Sequence, residues 1–167
     1  MNMLFDFTIN KETKTIHITR EFAAGPDLVW DAFTKAEILD KWVAPKPMRL
    51  QTKEMDFREG GRWLYGMIIN DTPPSRFSLA EFIKITPKTS FTTRNSFVDE
   101  NCNAISSASS ITTNTFKEGG AGTIVHIEKV MSSLEALEMM ATNGFVQGTE
   151  AGMKNLDEYF SNIAATK

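Results

Sequence analysis

The chain is short of the residues that usually carry chemistry. Its 167 residues include one cysteine and two histidines. Cys102, in the polar stretch DENCNA, has no second cysteine to pair with, so an internal disulfide is excluded and the thiol reads as unimportant. His17 and His126 lie far apart in sequence, each inside a strand-like segment, without the neighbour spacing of a zinc site. No metal or cofactor is expected. Charge of one sign is also lacking: the net charge is −3 and no basic cluster occurs, which argues against a nucleic-acid surface. No apolar run approaches the ~20 residues that span a bilayer. The N-terminal MNMLFDFTINKETK has no basic region followed by an apolar one, so no signal peptide is read there, and a cytoplasmic protein is expected. No GxSxG-type nucleophile motif occurs, and no carboxylate pair stands out as acid and base. No catalytic residue is assigned.

What is present fits one globular domain over residues 1–167, since 41% hydrophobic and 23% charged residues are ordinary for such a chain. LFDFTI (4–9) and TIHITREF (15–22) alternate as strands around the turn NKETK. In GPDLVWDAFTKAEILDKWV, the residues Val29, Trp30, Phe33, Ile38, Leu39 and Trp42 recur at helical spacing, with Pro26 in the first turn. A break near Thr34–Ala36 predicts two short helices after the first strand, and APKP (44–47) ends them. Six strands follow: LQTKEMDF, GRWLYGMII, RFSLAEFIKI, SFTTRNSFV, AISSASSITTNTF and GTIVHIEKV. The stretches REGG, NDTPPS, TPKT, DENCN and KEGGAG between them predict consecutive antiparallel hairpins. GGAG (119–122) lies between two strands, so it is a hairpin turn rather than a phosphate cradle. Glu54, Asp56, Arg58, Glu59 and Arg62 read as charge pairing at a sheet rim.

The period then changes from two to 3.6. Ser132 or Ser133 can cap a helix, with Glu135 three residues after Ser132 as in a capping box. Leu134, Leu137, Met140, Gly144, Gly148, Gly152, Leu156, Tyr159 and Ile163 form one stripe, and Asn143-Gly144 is a point of interruption. The expected fold is α+β: a curved antiparallel β-sheet wrapped around a long C-terminal α-helix, the helix-grip arrangement. Each glycine costs about 1 kcal/mol in a helix relative to alanine. Three of them four residues apart therefore need a reason, either close packing or an open cavity.

Strand parity suggests what a cavity would meet. Trp63, Tyr65, Met67 and Ile69 share one face; so do Phe91, Thr93, Asn95 and Phe97, and so do Thr123, Val125 and Ile127. Large apolar groups with a few polar ones are the usual lining of a small-molecule site, and also of an ordinary core. Met139, Met140 and Met153 add adaptable surface on the helix.

Four stretches carry a family resemblance: ITREFAAGPDLVWDAFTKAEILDKWVAPK (18–46), MDFREGGRWLYGM (55–67), GTIVHIE (122–128) and SSLEALEMMATNGFVQGTEAGMKNLDEYF (132–160). In combination they resemble the SRPBCC (START-like, Bet v 1-like) superfamily over roughly residues 5–163, and within it the activators of heat-shock protein 90 ATPase and their homologues. The resemblance implies a helix-grip fold enclosing a hydrophobic cavity, as in relatives that bind lipids, sterols, polyketides or plant hormones. Thr149 stands near where relatives often place an aromatic residue after the glycine, which implies an enlarged or reshaped cavity.

The first reading is thus a binding protein for a small hydrophobic ligand, without a defined catalytic activity. Its site would be lined by Trp42, Trp63, Tyr65, Met67, Phe97, Met140, Gly144, Phe145, Gly148 and Gly152. A second reading is a co-chaperone or other protein-interaction module, needing an exposed apolar patch. The family's co-chaperones usually carry a separate N-terminal domain, for which this chain is expected to have no room. A third is a cyclase or dehydratase, needing a titratable group inside the cavity, for which Tyr65 and a rim carboxylate are the candidates. Monomer and homodimer are compatible with all three.

Overall fold

The structure is a computed structural model and describes residues 4–165. The first three residues of the stretch inspected for a signal peptide, and the last two of the chain, lie outside it. The elements are β1 (Phe5–Asn10), β2 (Thr15–Phe22), α1 (Pro26–Thr34), α2 (Ala36–Trp42), β3 (Arg49–Met55), β4 (Arg62–Ile68), β5 (Phe77–Thr86), β6 (Ser90–Val98), β7 (Ala104–Glu118), β8 (Thr123–Met131), α3 (Leu134–Thr142) and α4 (Phe145–Ala165). Every expected strand is present. The paired short helices follow the N-terminal hairpin, whose two strands are β1 and β2.

The strands form one eight-stranded antiparallel sheet in the order β1-β2-β8-β7-β6-β5-β4-β3. Strands β3 to β8 are joined in sequence as hairpins, as their turns dictate. The non-local step is β2 against β8, which sets Ile18 opposite Ile127 and Arg20 opposite Val125. The α1–α2 pair leaves the sheet after β2 and returns at β3, the far edge, so the helices lie across one face. Pro26 opens α1 without needing its missing N–H, and Lys35, extended at φ −102°, separates α1 from α2. The rim pairs also form: Arg58 Nε to Asp56 at 2.7 Å and Arg62 to Glu54 at 2.9 Å.

Alternation puts one face of the sheet inward. Ile16, Ile18 and Phe22 of β2, Phe82 of β5, Phe91 of β6, Phe116 of β7 and Val125 of β8 are buried together with Trp30, Phe33, Leu39 and Trp42 of the short helices and Met153, Leu156 and Phe160 of α4. The aromatic rings meet mostly edge to face: Trp30 against Phe57, Phe91 and Phe116, and Phe22 against Phe33 and Phe160. Each fully buried large apolar side chain contributes about 2 kcal/mol. A smaller cluster of Leu64, Phe77, Leu79 and Val98, with Cys102 packed on it, covers part of the other face.

The C-terminal segment is two helices. Gly144, at φ +84°, turns the chain through a conformation that only glycine adopts without strain, and α4 starts at the next residue. Ser133, not Ser132, is the cap of α3, its hydroxyl accepting from the Ala136 N–H at 3.0 Å. Ser132 instead pairs with β7 through its backbone and hydroxyl at Ser109, because the sheet continues to Met131. Glu135 therefore falls one position too early for a capping box with Ser133.

Candidate functional site

The glycine stripe meets the end of α2 and the loop after it. A Cβ on Gly152 would stand 2.9 Å from the Val43 carbonyl oxygen and 3.1 Å from that of Trp42. Asn155, one turn further along α4, donates to the Trp42 and Ala44 carbonyls at 3.3 and 3.0 Å. Gly152 thus lets α4 dock on the exposed carbonyls that end α2. Gly148 is looser, with only Pro45 near a would-be Cβ, at 3.7 Å. Gly144 makes the helix break. At Gly152 close packing accounts for the bare face; at Gly148 it does not.

The other expected site residues divide by position. Trp42 is buried, its indole N–H donating to the Ala32 carbonyl at 2.8 Å and its ring against Phe33, so it fastens α1 to α2. Trp63 and Tyr65 stack at 3.8 Å on the inward face of β4 and are half-buried. The Trp63 indole N–H donates to Thr52, whose hydroxyl donates to Asp40 of α2 at 2.6 Å, so a helix holds this aromatic pair in place. Phe97 is half-buried on the same face, opposite Ser78, with the Arg76 guanidinium 3.9 Å over its ring. Met67 shares the face but stands exposed near the end of β4. Met140 and Phe145 are half-buried against the core, and Phe145 faces Phe7 of β1. Thr149 is half-buried. Met139 points to solvent and Met153 into the core.

Register adds a feature absent from the sequence reading. Crossing the sheet from β5 to β2, the inward row reads Phe82, Thr93, Thr112, Lys129, Ile16. The adjacent row holds Ala80, Asn95, Ser110 and Met131, and beyond it Tyr65 stands opposite Ser78. One region of the inner face is therefore polar, and its members bond to one another. Lys129 Nζ donates to Thr112 at 3.1 Å, and the Thr93 hydroxyl donates to Asn95 Oδ1 at 2.9 Å. Thr93, Ser110 and Thr112 are buried.

Two groups here titrate abnormally. Burial lowers the Lys129 ammonium from the ordinary lysine value to about 8. Burial raises the Tyr65 phenol, an effect opposed in part by a hydrogen bond from Ser78. Among the described residues no carboxylate lies within ion-pair distance of Lys129. The signal was present in the sequence: continuing the parity of Thr123, Val125 and Ile127 by one step puts a lysine on the inward face.

The histidines' relation, by contrast, depends on a long-range pairing. Because β2 pairs with β8, His17 and His126 stack at 5.5 Å on the outward face, with Thr19 bonded to His126 Nδ1 at 3.0 Å. Among the described residues no group of three metal-ligating side chains forms.

A curved antiparallel sheet, gripped helices and a mixed apolar and polar inner face define the helix-grip class, a fold that commonly binds hydrophobic ligands. Residues 23–161 match the model of the family described as activator of Hsp90 ATPase homolog 1-like protein, and the chain belongs to that family. No curated protein matches the sequence. Among solved structures, protein Ms6760 from Mycobacterium smegmatis is similar at 25% identity and TM-score 0.86, over 97% of this chain and 99% of that one. A protein from Arthrobacter aurescens aligns at 20% identity and TM-score 0.85, covering 94% and 91% of the two chains. The AHSA1 protein from Silicibacter pomeroyi aligns at 14% identity and TM-score 0.69, covering 88% and 97%. These last two show the fold alone. Among the described residues no helix is long and apolar enough to cross a membrane.

Proposed function

We propose that the protein is a cytoplasmic binding protein for a small, largely apolar molecule, held between the inner face of the sheet and the first half of α4. The observation that carries this reading is the contrast along the inner face. The aromatic core fills one region, while the neighbouring region presents Thr93, Asn95, Thr112 and Lys129 on β6 to β8 and the Trp63–Tyr65 stack further across the sheet on β4. Apolar walls with a few convergent polar groups suit a ligand that is mostly hydrocarbon or aromatic, with one polar end. Burial supports the placement: in α4 the inward residues Gly152, Met153, Leu156 and Phe160 are buried, whereas positions 144–146, 148 and 149 are half-buried. Family membership supports it too, since the fold commonly encloses such ligands.

Native mass spectrometry of protein purified from its own host, followed by organic extraction, tests the proposal. A reproducible bound species, released with unfolding, is expected. A clean apo mass together with no thermal shift across a panel of apolar and amphipathic compounds would overturn it.

A further inference from the structure

Among the described residues, Lys129 and Arg20 are the two cations on the inner face, and they are treated differently. Arg20, buried on β2, is ion-paired with Asp157 of α4 and lies 4.8 Å over the Phe22 ring. Lys129, on the adjacent strand, has the Thr112 hydroxyl as its hydrogen-bond acceptor and Ile16 opposite it on its other side. An ammonium carries three donors, so two remain for something else. A cation held partly out of water without a counter-ion is unfavourable, and an incoming anion relieves that cost. The remaining charged groups nearby do not supply one. Glu135 and Glu138 of α3 are exposed, the latter 3.7 Å from Lys11, and Glu150 of α4 is exposed beside Lys154. Glu128 points to the outward face of β8, opposite His17.

We infer that the site takes an amphipathic monocarboxylic acid, its carboxylate seated on Lys129 and Thr112 and its apolar part lying toward the Trp63–Tyr65 stack. This deepens the binding reading above and rests on it. A single ammonium with neutral hydroxyl and amide neighbours matches a single negative charge. A phosphate dianion is better met by several cations or a free guanidinium, and the Arg20 guanidinium on this face is taken by Asp157.

The test compares octanoate with octanol, equal in chain length and different in charge, by calorimetry at pH 7. A charge-assisted hydrogen bond in a shielded site predicts that octanoate binds about ten- to a hundredfold tighter. Lys129→Met should abolish that preference while octanol still binds. Lys129→Gln serves as a second variant, with thermal unfolding verifying that both remain folded. The wild-type protein supplies a readout without mutation. As pH rises past about 8, Lys129 loses its proton, so octanoate affinity should fall while octanol affinity stays flat. Equal affinities for the two compounds, or a preference that survives both substitutions, would overturn the inference and leave the binding reading standing. Failure of the wild type to bind either compound would overturn the inference, and joined to a clean apo mass with no thermal shift across the panel it would overturn the binding reading as well.

Discussion

Arg20 and Lys129 sit on neighbouring strands and face the same interior, yet one is tied to α4 by a carboxylate and the other is not. The surroundings differ in the same sense. Around Arg20 the face is filled by Phe22, Phe33, Phe116 and Phe160, and α4 supplies buried Leu156 and Phe160. Around Lys129 the face carries threonine, serine and asparagine, and the first half of α4 is glycine-rich and half-buried. One region is sealed for stability. The other keeps hydrogen-bonding groups on a face that stability alone would fill with hydrocarbon. The proposed binding reading rests on this contrast.

The comparison can be broken most forcefully in the sealed region. Phe91 touches the Trp30, Phe57, Phe82 and Phe116 rings, so Phe91→Ala should cost about 3–5 kcal/mol in denaturant unfolding. Asn95→Ala, four residues further along the same strand face, should cost about 1 kcal/mol or less. Similar losses at both positions would mean that the two regions are not distinct. Asp157→Ala should cost about 2 kcal/mol, because it strands a buried guanidinium; the half-exposed aspartate keeps the loss below that of a fully buried pair.

The helix glycines sharpen the contrast at smaller scale. Gly152→Ala should destabilise by about 1–3 kcal/mol, since the new methyl meets backbone carbonyls that have little room to shift. Gly148→Ala should be neutral, or stabilise by up to about 1 kcal/mol through helix propensity, as only Pro45 lies near it. A Gly148→Ala variant as unstable as Gly152→Ala would show that the first half of α4 is as closely packed as the second.

A separate test of the contrast concerns pH. Lys129 binds its proton less tightly folded than unfolded, so the unfolded chain holds more protons between pH about 8 and the ordinary lysine value. Stability should therefore rise with pH across that interval, relative to Lys129→Met. Tyr65 acts in the opposite sense. Its raised value means that stability is lost once pH climbs past the ordinary tyrosine value of 10.0. Paired urea titrations of the wild type and Lys129→Met at several pH values would separate the two contributions.

Much of this architecture was legible in the sequence, for identifiable reasons. Strands of strict alternation and turns of distinctive chemistry specify hairpins locally, so β3 to β8 and their order follow. The break at Gly144 was also legible, because glycine after asparagine favours a left-handed turn. The choice between Ser132 and Ser133 was not, since it depends on how far β8 stays paired with β7. Nor was the partner of Gly152, which comes from a helix end more than a hundred residues earlier. The histidine pair required the long-range β2–β8 register. Trp42, expected among the site's lining residues, spends its indole N–H on the α1 backbone instead, a contact that helical spacing does not reveal. Lys129 could have been found from parity and was passed over, because a lysine near the end of a strand is ordinarily solvated.

The central claim is that Lys129 is an inward-facing ammonium without a counter-ion. Nuclear magnetic resonance titration of its side chain, assigned by its loss in Lys129→Met, tests that claim most directly. A titration midpoint of about 8, moving upward when octanoate is added, is the predicted result. An ordinary lysine midpoint that octanoate leaves unmoved would contradict the account.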